Sequence, residues 1–479
     1  MCSSGTDRNT DTLPGSGALT RNTMKARFLF LILITLLLSS CATITTPDLR
    51  RLYEQQSGRK YFNPVIVIHG YMGSRLRDRE SLTRLWPPGL FEILRRQTYA
   101  LALPIDASTL EAKPSRIEAY AMFDQLGGID YYRRLLNTLS RPGGYHFSRP
   151  GTPANTGERR YYTFIYDWRE DIVVSVRKLD RFISRIRQDY KDPKLKVDII
   201  AHSLGGLITR YYARFGTRDV LTSDKFAITG FGSSRIRKAV LMGTPNLGSV
   251  TSVYTYMTGF SVGAYGLPTE ILTTMPSIYQ LFPHPAIPWL VDINGKQIHE
   301  DLYDVATWKK HRWGIFNPDV MQRVISAAPD PDQGRKQLTL LQDYFSHQLA
   351  RSERLAWALS IKSDHLPLEY IVFGGDCELT PARLLLEKAG GQERVRIDPD
   401  QLISPHIGVD YSRFMMQPGD GRVTKPSLLS RESLDPTLVR SNNIFLPLDY
   451  SIMFCEVHKR LTGNVHFQDN LLNILLTAD

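Results

Sequence analysis

Several stretches of this chain are apolar without alternation and end in glycine or small polar residues. Asn63-Pro-Val-Ile-Val-Ile-His-Gly70, Tyr161 to Arg169, residues 195–200, Lys238 to Met242 and Leu368 to Phe373 read this way. The fully apolar run at Pro64–Ile68 predicts a strand buried on both faces, as in a parallel sheet, and the other, predominantly apolar runs read as its neighbours. Between them the spacing changes to a helical period. Helices are predicted around Tyr131–Ser140, from about Ile172 to Tyr190, and after Gly206, where Leu207, Ile208, Tyr211, Tyr212 and Phe215 share a face. A last helix is predicted over Asn464–Leu476, after an apolar run from Ile444 to Phe454. Strand alternating with helix, with glycine turns at strand ends, predicts an α/β fold: a mostly parallel sheet with helices on both faces.

Two regions depart from this rhythm. Residues 141–160 are rich in Pro, Gly and Thr and read as an exposed loop. Residues 250–365 carry Gly, Pro, Trp and other aromatics without clear alternation, which predicts an insertion forming a cap or lid. No internal repeat or low-complexity tract is present.

The N-terminus reads as an address. Met24-Lys-Ala-Arg27, an apolar run from Phe28 to Leu38, and Leu38-Ser-Ser-Cys41 make a basic region, a short apolar core and a small-residue cleavage site. The run is too short for a stable span. Leu-Ser-Ser-Cys resembles the bacterial lipobox, in which the cysteine is lipidated. The expectations are a natural start at Met24, residues 1–40 as leader and signal peptide, cleavage before Cys41, a tether over 41–62 and an enzyme domain over 63–479. Ala42, rather than Asp, after Cys41 points to the outer membrane, facing the periplasm. An uncleaved N-terminal anchor is the alternative.

Charge changes this picture little. The 479 residues carry a formal charge of +11. Removing residues 1–40 takes away four basic and two acidic groups, leaving 55 against 46 and a balance of +9. This favours anionic lipid surfaces. With no basic run interleaved with aromatics, nucleic acid is not an expected partner. The sequence does not define an oligomeric state. Export permits a disulfide. Cys377 and Cys455 both follow apolar runs that could end at one sheet edge, so pairing is one reading and two free thiols the other.

The candidate chemistry lies at the predicted strand ends. Ala201-His-Ser-Leu-Gly-Gly206 stands between a strand and a helix, the context in which G-x-S-x-G forms a nucleophile elbow. Ser203 is the candidate nucleophile, and the Leu204 N–H would face the reacting carbonyl oxygen. His69-Gly-Tyr-Met-Gly73 follows the first strand and offers the Tyr71 N–H as a second oxyanion donor. A serine hydroxyl needs a base, and the base needs a carboxylate. In this fold the chain order is serine, acid, histidine. Asp420, between glycines in Pro418-Gly-Asp-Gly-Arg422, is the leading acid, with Asp376 in Gly374-Gly-Asp-Cys377 as the alternative. His458, between the last strand and last helix, is the leading base. His466 opens that helix and reads as structural. His69 and His202 read as hydrogen-bonded supports. The eleven histidines form no H-x-x-x-H or H-E-x-x-H pattern, so neither a metal nor another cofactor is expected.

Together these residues resemble the lecithin–cholesterol acyltransferase family of α/β-hydrolases. The resemblance is carried by Tyr166-Asp-Trp-Arg169, Ala201–Gly206, Gly243-Thr-Pro-Asn-Leu-Gly-Ser249, Met275-Pro-Ser-Ile-Tyr-Gln-Leu-Phe-Pro283 and Gly419-Asp-Gly-Arg-Val423. It implies an α/β-hydrolase fold, Asp420 as the triad acid, and lid and cap elements within 250–365. It also implies an apolar, lidded acyl pocket. Ala201 stands where that family usually has glycine, and His-Gly-Tyr at residues 69–71 looks more like bacterial lipases. The expected activity is that of a tethered serine esterase, lipase or acyltransferase on phospholipid or acylglycerol. The rivals are a thioesterase or amidase on the same triad, and a non-catalytic envelope binding protein.

Overall fold

The computed structural model describes residues 47–53, 62–88, 97–126, 129–155, 157–262, 265–363, 366–435, 437 and 444–477. Cys41 and the predicted leader lie outside them. Seven strands form the central sheet: β1 (Val65–Ile68), β2 (His146–Phe147), β3 (Arg160–Phe164), β4 (Val197–His202), β5 (Ile236–Met242), β6 (Glu369–Gly375) and β7 (Tyr450–Phe454). Their order is β7-β6-β5-β4-β1-β3-β2, and every pairing is parallel. In register, Val65 stands opposite Tyr161 and Asp198, and Leu241 opposite Ala201 and Val372.

Every side chain of β1 and β4 is buried, so both sheet faces are covered. The covering helices include α1 (Arg133–Ser140), α2 (Ile172–Asp189), α3 (Leu204–Phe215) and, at the end of the chain, the helix Val465–Leu476. α2 packs on α3, and α1 packs on the terminal helix. On α2, Val176, Leu179, Ile183 and Ile186 repeat every three or four residues and are buried. From β1 the chain crosses to the edge strand β2, comes back beside β1 as β3, then passes to β4 on the other side of β1 and builds away through β5, β6 and β7. The carboxyl ends of β1 and β4 therefore flank the switch point, where ligands bind in such sheets.

Two differences from the sequence reading have local causes. The predicted strand 161–169 stops at Phe164. There Tyr166 N–H turns to donate to His69 Nε2 at 3.3 Å, and the Asp167 carboxylate accepts from Arg169 N at 3.1 Å. The region 250–365 is more regular than its composition suggests. It holds α4 (Val250–Thr258), α5 (Pro318–Ala327) and the 30-residue α6 (Pro331–Ser360). Asp330 caps α6 by accepting from Gln333 N at 2.9 Å, with Pro331 in the first turn. Leu338, Leu341, Phe345, Leu349, Leu355 and Leu359 form its buried stripe. At its far end, Arg210 and Arg214 of α3 donate to Leu359 O and Ile361 O, each at 2.5 Å. Two cations on the carbonyls of a helix C-terminus are favourably placed against its dipole.

The aromatic residues of this region pack largely on one another. Tyr256, Phe282, Trp308 and Phe345 form ring pairs with centroids 5.1–6.0 Å apart. They are part of the same buried hydrophobic cluster as the side chains of the sheet. Within the expected tether, Leu49–Tyr53 is helical, and Tyr53 Oη donates to the Asp469 carbonyl and carboxylate at 2.9 Å. Among the described residues no helix is long and apolar enough to cross a membrane.

Candidate active site

Ser203 joins β4 to α3 with φ +53° and ψ −121°. A positive φ is costly for a non-glycine residue and holds only where the surroundings impose it. Here Ser203 N–H donates to Met242 O at 2.8 Å, and Gly206 N–H returns to Ser203 O at 2.9 Å. The turn needs small neighbours. A Cβ on Gly205 would lie 2.7 Å from His69 O, and one on Gly70 would lie 2.8 Å from Ser203 Cβ. The strand ends of β1 and β4 thus touch through two glycines, and Ser203 stands where they meet.

The turn Gly70–Gly73 closes with Gly73 N–H donating to Gly70 O at 3.0 Å, and Met72 takes φ +59°. Among the described residues no acceptor is found for Tyr71 N–H. Leu204 N–H opens α3, where the first amides have no intrahelical acceptor. Both candidate oxyanion donors are therefore free to serve a ligand. The turn is braced from several sides. Trp86 Nε1 donates to Met72 O at 3.1 Å, Tyr166 Oη donates to His69 O at 2.9 Å, and the Tyr166 and His69 rings stack at 4.1 Å. Burial pushes the His69 pKa down to about 4, so this imidazole is neutral near pH 7. Behind Tyr166 the buried Arg169 clasps the Asp167 carboxylate with two hydrogen bonds, at 2.9 and 2.5 Å. Its Nη1 donates to Leu101 O at 2.9 Å, and its Nη2 donates also to Ser115 Oγ at 3.1 Å. This satisfied pair explains the Tyr-Asp-Trp-Arg motif as a buttress for the turn.

Asp420 is 1% exposed. Its Oδ1 accepts from Arg422 N and Val423 N at 3.0 and 2.8 Å. Its other oxygen lies 2.7 Å from His458 Nδ1. His458 N–H also donates to Asp420 O at 2.8 Å, so backbone and side chain lock the two loops together. His458 reaches the elbow: its Nδ1 lies 2.9 Å from where a Cβ of Gly243 would stand, and its ring centroid is 4.8 Å from that of His202. No hydrogen bond joins His458 to Ser203 in this structure. Such bonds often tighten only with substrate present.

The alternatives fall elsewhere. Asp376 carries an ion pair to Lys425 at 2.7 Å. His466 is exposed in the first turn of the terminal helix, its N–H bonded to Asn464 Oδ1. Cys377 and Cys455, which follow β6 and β7, are joined as a disulfide with Cα atoms 4.9 Å apart. Among the described residues no group of three or more His, Cys, Asp or Glu could hold a metal ion. The sequence reading missed Tyr132 and the aromatic wall beside the turn. There Trp86 meets Trp168, Tyr265 and Phe260 at 5.5, 6.0 and 6.4 Å. The last two rings come from the hairpin 260–267 of the inserted region. These contacts span up to 180 residues, which no local pattern encodes.

The parallel seven-stranded sheet, with its helices and the strand-to-helix elbow, is the α/β-hydrolase fold. Residues 156–355 match the family model for lecithin:cholesterol acyltransferase, so the resemblance read from the motifs holds over that stretch. Asp420 and His458 lie beyond it. A 144-residue stretch, 30% of this chain, is 28% identical to "Uncharacterized protein YJR098C" of Saccharomyces cerevisiae. It spans only 20% of that relative's length. Among solved structures, the fold matches a chain of the Tle4–Tli4 complex with a TM-score of 0.50 and 16% identity, over 86% of this chain and 98% of that one. A Staphylococcus hyicus lipase aligns over 91% of this chain and 95% of its own, at 14% identity and a TM-score of 0.31.

Proposed function

We propose that this chain is a serine esterase or lipase, or an acyltransferase, acting on phospholipid or acylglycerol esters. The observation that carries the reading is the pair of hydrogen bonds between His458 and Asp420, held beside a serine at φ +53° at the sheet's switch point. The match of residues 156–355 supports a lipid acyl ester as the substrate class.

In this reading Ser203 Oγ attacks the ester carbonyl, and His458 Nε2 takes its proton. Asp420 holds the proton on Nδ1, which leaves Nε2 free as the base, and stabilises the imidazolium that forms. The N–H groups of Tyr71 and Leu204 hold the oxyanion, each donor being worth roughly 3 kcal/mol of transition-state stabilisation. The tetrahedral intermediate collapses as His458 returns the proton to the leaving alcohol. Water or an acceptor alcohol then clears the acyl-enzyme. The proposal includes lipidation at Cys41, supported by Leu38-Ser-Ser-Cys41, and residence in a bacterial envelope, in the outer membrane facing the periplasm.

The test is product identification. Wild-type protein and Ser203→Ala are mixed with phospholipid and acylglycerol vesicles containing a labelled long-chain alcohol. Fatty acid or acylated alcohol from the wild type alone supports the reading and separates hydrolysis from transfer. No product from folded wild-type protein contradicts the substrate class and favours thioesters or simple binding.

A further inference from the structure

Tyr132 precedes α1 and is 2% exposed. Its phenol sits between the two loops that would serve the reaction. Gly70 N–H donates to Tyr132 Oη at 2.9 Å. On its other side, Tyr132 Oη lies 2.8 Å from His202 Nδ1. His202 Nε2 in turn lies 3.3 Å from the carbonyl oxygen of His458. Gly70 immediately precedes Tyr71 in the oxyanion turn.

The proton positions follow from counting donors. Burial and the neighbouring histidines hold the His202 pKa well below its ordinary value, so the ring carries one proton. Suppose that proton were on Nδ1. Both of the phenol's neighbours would then be donors, and its own proton would have no acceptor among the described residues. The bare Nε2 lone pair would also face the His458 carbonyl. With the proton on Nε2, each contact becomes a donor–acceptor pair. Gly70 N–H donates to Tyr132, Tyr132 O–H donates to His202 Nδ1, and His202 Nε2–H donates to His458 O.

We propose that Tyr132 is a positioning residue. Its hydroxyl sets the oxyanion turn through Gly70 and, by fixing the tautomer of His202, sets the loop that presents His458. This rests on the triad reading above. Without the hydroxyl, a buried amide loses its acceptor and His202 is free to take the tautomer whose Nε2 repels the His458 carbonyl. The ring's packing on His202, with centroids 5.7 Å apart, needs no hydroxyl.

The experiment compares wild type, Tyr132→Phe and Ser203→Ala on one ester substrate, with thermal melts as a fold check. Tyr132→Phe is expected to lower kcat tenfold or more with KM within twofold, since binding is untouched and only the reacting geometry moves. A folded Tyr132→Phe with kcat within twofold of wild type overturns the proposal, provided Ser203→Ala is inactive. Activity remaining in Ser203→Ala would overturn the triad reading itself, and this proposal with it. If Tyr132→Phe does not fold, His202→Gln and His202→Leu decide. Gln keeps a donor for the His458 carbonyl, so it should retain at least fivefold more kcat than Leu, and equal values would overturn the link.

Discussion

His458 and Asp420 meet twice. Nδ1 lies 2.7 Å from the carboxylate, and the His458 amide donates to the Asp420 carbonyl at 2.8 Å. The second bond means His458 does not depend on the carboxylate alone for its place. Asp420→Asn should therefore leave the loop docked and the protein folded, yet present Nδ1 with an amide. Mispairing of this kind favours the wrong imidazole tautomer. The expected loss in kcat is about three to four orders of magnitude with little change in melting temperature. Asp376→Asn, which touches only the pair to Lys425, should stay within about twofold of wild type. Steady-state kinetics of the two variants checks both, and the opposite ranking would exchange the roles of the two acids.

Acid should weaken the fold through buried histidines. His284, 2% exposed, has its pKa pushed to about 4 by burial and by Arg210. His69 is lowered similarly. An unfolded histidine binds its proton near pH 6.5, so the unfolded state holds more protons between about pH 6.5 and 4. Stability is therefore full above pH 6.5 and falls as pH drops through that window. Each such group contributes about 2 kcal/mol of loss at pH 5. Urea midpoints at pH 7.5 and 5 should differ less for His284→Gln than for wild type. An unchanged difference would show that His284 does not hold this depressed pKa.

Arg351 ties α6 to the body of the molecule. It bonds Asp171, the N-cap of α2, at 2.6 Å and Asp219 at 2.8 Å, with all three side chains 20% exposed or less. Arg351→Met would leave two carboxylates near one another without their cation. Breaking a largely buried pair typically costs about 3 kcal/mol. The expected outcome is a lower urea midpoint, partly recovered by adding Asp219→Asn. No recovery would mean the two charges do not interact.

The disulfide clamps the ends of β6 and β7 near His458. Cys377 and Cys455 are 78 residues apart, and Cys455 stands three residues before His458. Closing a loop of that length restricts the unfolded chain by about 4 kcal/mol in the chain-entropy model. The double variant Cys377→Ser/Cys455→Ser should melt earlier. Thiol titration of denatured, unreduced protein should find neither of these two cysteines reactive, and two reactive thiols here would rule the bridge out.

The legible parts of this chain are those whose signal is local. Val65–Ile68 reads as a strand because burial on both faces demands an unbroken apolar run, and Val197–Ile200 breaks that run only at Asp198, whose carboxylate accepts from Arg237. Ser203 reads as an elbow because Ala201, Gly205 and Gly206 supply the small neighbours the turn needs. The inserted region is harder to read. On α6 the buried stripe includes Gln348 and Ser352, and charged residues such as Arg351 lie close beside it, which blurs the helical period. Tyr132 is illegible for another reason. Its two partners, Gly70 and His202, are 62 and 70 residues away, and a tyrosine before a short helix carries no sign of either.

The central claim is that Ser203 is the nucleophile. The most direct test treats folded protein with a fluorophosphonate probe and maps the adduct by peptide mass spectrometry. A single modified residue, Ser203, is expected, with labelling abolished in Ser203→Ala and strongly slowed in His458→Ala. An adduct on another residue, or folded protein that takes no label, would contradict it.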